Sequence, residues 1–64
     1  MTGGEKAYAL LLEAEENANA LWTAAKEAQM DRTSVEVIRN YVGGLKTIRE
    51  NWEQERSRWE PTDA

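Results

Sequence analysis

The chain has 64 residues and a mass of 7.3 kDa, with eight Lys and Arg against twelve Asp and Glu, a net charge of −4, and neither Cys nor His. Those values exclude disulfides, Cys nucleophiles, His acid–base catalysis and a thiolate or imidazole zinc site, and they disfavour nucleic-acid binding, which needs a basic excess. A core of this size seldom contributes more than ~3–5 kcal/mol, so association with another chain is the support that remains.

A first helix is predicted from about residue 3 to 30. The segment is rich in Ala, Leu, Glu and Lys, and Thr23 is its sole β-branched residue. Thr2 followed by Glu5 fits a capping box. Ala7, Leu11, Ala14, Ala18, Leu21, Ala25 and Ala28 alternate steps of four and three, the spacing of a heptad seam. Tyr8, Leu10, Leu12 and Trp22 widen the apolar arc beyond one coiled-coil stripe. Asn17 lies beside that seam, where a polar residue fixes register at some cost in stability.

A turn is expected at residues 31–33 and a second helix from about 34 to 59. Thr33 followed by Glu36 is a second capping-box match. Ile38, Leu45, Trp52 and Trp59 recur every seven residues, with Tyr41 and Ile48 at the intermediate positions and Val35 and Val42 alongside. Pro61 stops the helix, and residues 60–64 form a frayed tail. So short a link between long helices makes an antiparallel hairpin. Facing residues then carry numbers summing to roughly 64, which sets Trp22 beside Val42 and Gly43 and Trp59 over Gly4.

The expected fold is therefore all-α: one domain over residues 1–64, a two-helix hairpin completed as a dimeric four-helix bundle. The alternative is three helices with a break at Gly43-Gly44. Two glycines inside a helix cost roughly 0.8–1 kcal/mol each against Ala. Close packing against Trp22 or a partner backbone, or a kink, would account for them. The sequence has no phosphate-cradling glycine loop.

The candidate interface residues of the first helix are Tyr8, Leu11, Leu12 and Trp22. Those of the second are Tyr41, Leu45, Ile48, Trp52, Arg56 and Trp59. Tyr, Trp and Arg are enriched in interface hot spots, and a lone hairpin cannot fully hide three indoles of on the order of 200 Å² each. Residues 1–31 carry a charge of −4 and residues 32–60 carry +1. Arg32, Arg39 and Lys46 share one outer stripe suited to an anionic partner.

These residues imply a non-enzymatic interaction protein that self-associates, as a dimer, and offers an aromatic and arginine surface to another protein. No catalytic, cofactor-binding or metal-ligating residue is expected, and no cofactor. The expected location is cytoplasmic, with no membrane segment, since no apolar run approaches the ~18 residues that span a bilayer. Two alternatives remain: an acidic regulator or inhibitor of a nucleic-acid-processing complex, of the kind mobile elements encode, and a small-ligand or nucleotide binder at a subunit interface.

Overall fold

Helix α1 runs over Gly3–Glu27, α2 over Arg32–Gln54 and a single turn, α3, over Arg56–Trp59, in a computed structural model that describes residues 3–59. The two long helices pack against each other as an antiparallel hairpin with Cα extents of 52 × 17 × 12 Å. Every described element is helical. The capping role of Thr2, the stop at Pro61 and the tail at 60–64 lie outside the described residues.

The turn comes earlier than the spacing predicts, and two local devices set it. At the end of α1, Met30 N donates to Ala25 O at 3.0 Å and Gln29 N to Lys26 O at 3.1 Å. This is the paired arrangement of a Schellman motif, which satisfies two carbonyls of the last turn. It needs a left-handed residue, and Gln29 takes that role with φ 56°. At the start of α2 the cap is Asp31, whose carboxylate accepts from Ser34 N at 2.8 Å. The Thr33–Glu36 box is thus displaced: an Asp two residues upstream reaches an otherwise unpaired N–H first. That bond to Ser34 also holds the Asp31 carboxyl below the usual carboxylate range.

Glycine has no Cβ to clash in the left-handed region, whereas other L-residues lose about 1–2 kcal/mol there. Gln29→Gly is therefore expected to stabilise the fold by about 1 kcal/mol, less the greater entropy of the unfolded glycine. In a domain this small that raises the melting temperature by roughly 4–8 °C, which thermal unfolding by circular dichroism checks.

The interhelical register agrees with the sum of 64. Glu15 bonds Arg49, and a Cβ on Gly4 would lie 2.8 Å from both Cβ and the carbonyl oxygen of Trp59. Only glycine lets α3 sit so close to α1.

The seam differs from the expected one by half. On α1 the line Leu11, Ala18, Ala25 is buried, at 7 %, 3 % and 7 % exposure. Its companion line is Tyr8, Glu15 and Trp22, all half-buried, while Ala7, Leu21 and Ala28 are exposed. On α2 the half-buried lines are Ile38, Leu45, Trp52 and Val35, Val42, Arg49. Tyr41 and Ile48, expected between the turns of the seam, are instead 53 % and 39 % exposed. The reason is chemical. Glu15 and Arg49 face each other across the hairpin as a 2.7 Å ion pair, and the line that carries them replaces one of the two apolar lines on each helix, a turn of about 50° at ~100° per residue.

Helix α2 continues without interruption through Gly43-Gly44, so the break expected there as an alternative is absent. A Cβ on either glycine would meet nothing within 4 Å, and Trp22 does not occupy their space. The single helix expected to reach residue 59 breaks instead at Glu55, with φ −101° and ψ 22°. The indole N–H of Trp59 then donates to Trp52 O at 2.8 Å, satisfying a carbonyl that a continuing helix would have bonded.

Candidate functional site

Two interhelical seams cannot coincide on one arc, and the shift just described leaves the hairpin with two unlike broad faces. One face is polar. It carries the chain Glu15–Arg49–Glu53–Tyr8, linked at 2.7, 3.3 and 2.6 Å. Nearer the turn it carries Lys26 Nζ, 3.9 Å from the Trp22 ring centroid, and the exposed Arg32–Glu36 pair at 3.2 Å. Trp22, Lys26, Arg32, Val35 and Arg39 border a shallow hollow here. Within it the Trp22 indole N–H is buried with no partner among the described residues.

The other face is apolar. At the turn end Leu21, Ala24, Ala28, Met30, Ser34 and Ile38 line one hollow. At the open end Ala7, Trp52 and Trp59 line another, with Glu55 and Arg58 on its border. Leu10, Leu21, Val37, Tyr41 and Ile48 project on this side by helical phase and are exposed. Between Ala7 and Ala28 on α1, and between Ser34 and Trp52 on α2, the positions on this arc carry no charge.

An aromatic cluster closes the open end. The Tyr8 and Trp59 rings stack with centroids 5.2 Å apart. The Arg56 guanidinium lies 5.4 Å from the Tyr8 centroid and 5.7 Å from that of Trp59, within cation–π reach of both.

The expected interface residues therefore divide. Tyr8, Arg56, Trp59 and, through its carbonyl, Trp52 come together at the open end. Tyr41, Leu45 and Ile48 lie on the apolar face. Trp22 stands apart near the turn. Leu11 is buried between the helices and is not available to a second chain; Leu12, one residue on, is exposed about 100° away, off the apolar face. Arg32, Arg39 and Lys46 are exposed on the polar side. None of the three tryptophans is fully buried within the chain. Sequence reasoning missed Glu53 and Arg49 as organising residues. Their signal was the i, i+4 spacing together with a hairpin sum near 64.

The Tyr8–Glu53 bond is titratable at both ends. Accepting from Tyr8 holds the Glu53 carboxyl below its ordinary range, and donating to a carboxylate pushes the Tyr8 phenol above its own. Arg49 and Arg56 lower Glu53 further, and Arg56 partly opposes the rise at Tyr8. A depressed carboxyl contributes stability above its unfolded pKa and loses it as pH falls through the folded value. A raised phenol contributes below its unfolded pKa, about 10, and loses it as pH rises through the folded value. Tyr8→Phe keeps the stack on Trp59 and removes the bond. The stability difference between wild type and Tyr8→Phe should be greatest near neutral pH and vanish in both acid and alkali, as denaturant titrations across pH can test.

Among the described residues no helix is long and apolar enough to cross a membrane. No family model matches the chain, and no curated protein or solved structure is significantly similar to it.

Proposed function

We propose that the chain is a non-enzymatic protein-interaction module that self-associates through its apolar face and offers its aromatic–arginine end to a protein partner. The observation that carries this reading is the one-sidedness of the hairpin. One face holds the interhelical Glu15–Arg49 ion pair and the Arg49–Glu53 pair within α2, and the other holds exposed Leu10, Leu21, Val37, Tyr41 and Ile48 with no charge among them. Contiguous apolar surface of this kind marks an interaction site. A standard interface takes about 800 Å² from each partner, and the broad side of a 52 × 17 Å hairpin is of that size. Hydrophobic burial at ~25 cal/mol per Å² then supplies what so small a core lacks.

The stacked Tyr8 and Trp59 with Arg56 form a rigid cluster of the residue types that dominate hot spots, which favours a protein partner at that end. Light scattering coupled to size exclusion tests the self-association. At micromolar concentration the expected mass is twice that of the chain. A single-chain mass there overturns the reading.

A further inference from the structure

The exposed arc of α1 is itself a heptad seam. Ala7, Leu10, Ala14, Asn17, Leu21 and Ala24 alternate steps of three and four, and all but the half-buried Ala14 are exposed. The pattern is self-complementary about Asn17. Run antiparallel against a copy of itself, it sets Leu10 against Ala24 of the partner copy and Ala14 against Leu21 of the partner copy. Large then meets small on both sides of the centre, which is how facing layers interdigitate. Asn17 meets Asn17 of the partner copy.

Resting on the self-association reading, we propose that the occupant of the apolar face is a second copy placed head to tail. Its α1 lies antiparallel on α1, and a twofold axis passes beside Asn17. A face-to-face pair of hairpins has two symmetric choices, an axis along the helices or across them. An axis along the helices places α1 on α2 of the partner copy. The residues level with Asn17 are then those near residue 47, as the Glu15–Arg49 pair shows. On the apolar face those are Leu45 and Ile48, and the amide would be sealed against aliphatic side chains. A buried amide without a partner loses the full desolvation cost of its polar groups. An axis across the helices pairs the two amides, each donating an N–H to the other's carbonyl oxygen. Asn17 takes part in none of the side-chain hydrogen bonds within the described chain, whereas Asn19 already donates to Glu15 O at 2.9 Å. Asn17 thus sets the orientation of the pair, as a single seam asparagine does in coiled coils.

The chain has no native cysteine, so a single Asn17→Cys variant reports contacts without interference. Under mild oxidation it should form a covalent dimer at least about tenfold faster than Leu12→Cys on the far side, because proximity raises the effective concentration of the second thiol. Mixed with the Ile48→Cys variant, it should crosslink to its own kind and give no product joining the two variants. A second readout leaves the interface unaltered. Spin labels on Arg32→Cys, exposed at the turn, should lie about 45 Å apart, twice the rise between residues 32 and 47 at ~1.5 Å per residue, at opposite ends of the bundle. A disulfide joining an Asn17→Cys chain to an Ile48→Cys chain, or adjacent labels in a protein of dimer mass, overturns the head-to-tail arrangement and leaves self-association standing. A protein of single-chain mass overturns both.

Discussion

Leu11→Ala is expected to cost about 2–3 kcal/mol, toward the lower end for a buried leucine because the site is flanked by solvent. Leu11 is the one large side chain among the buried residues of the described chain; the others are Ala18 and Ala25. Its loss removes transfer free energy and leaves a gap that alanines cannot fill. Against a core contribution of ~3–5 kcal/mol, that leaves between about 0 and 3 kcal/mol, so the unfolding midpoint falls steeply. The neighbouring Leu12→Ala, at a 41 % exposed site, should change stability by less than about 1 kcal/mol. Urea titration of both variants at one protein concentration gives the comparison. Equal effects would mean that Leu11 does not hold the hairpin.

Ile48→Glu is expected to weaken self-association by at least about a hundredfold, close to 3 kcal/mol. Ile48 is 39 % exposed in the single chain, so an acidic side chain there reaches water and α2 keeps its helix. In the proposed dimer the same position lies close to the twofold axis, and two glutamates would be buried near each other without partners. Thr47→Glu, also exposed but on the opposite side of α2, should leave the dimer intact. Sedimentation equilibrium of the two variants separates a specific face from general apolar stickiness.

Much of the fold was legible. Ala- and Leu-rich periodicity, a short connection and the absence of any β-pattern lead to an antiparallel hairpin, and the hairpin sum places Trp59 on Gly4. The seam phase was not legible, because counting apolar residues cannot place an arginine and a glutamate on a packing line. Once Glu15 and Arg49 are given to the hairpin, Tyr41 and Ile48 no longer compete for the same arc. The apolar sets then divide into one seam within the chain and one outside it. The turn was misplaced for a similar reason. The left-handed position is held by Gln29, with no glycine to mark it, and Asp31 outcompetes a capping box that looked equally good. The break at Glu55 follows from tertiary structure: Trp59 gains Gly4, Tyr8 and the Trp52 carbonyl by leaving the helix, none of which neighbouring sequence announces.

The apolar face ties these observations together, for the hairpin hides one seam and leaves the other uncovered. The most direct test is the melting temperature of the unaltered chain over a wide range of protein concentration. A fold completed by a second copy unfolds with dissociation, so its melting temperature must rise steadily with concentration and its helical signal must fall on dilution. A melting temperature and helical signal that stay constant from the lowest to the highest concentration would contradict the account.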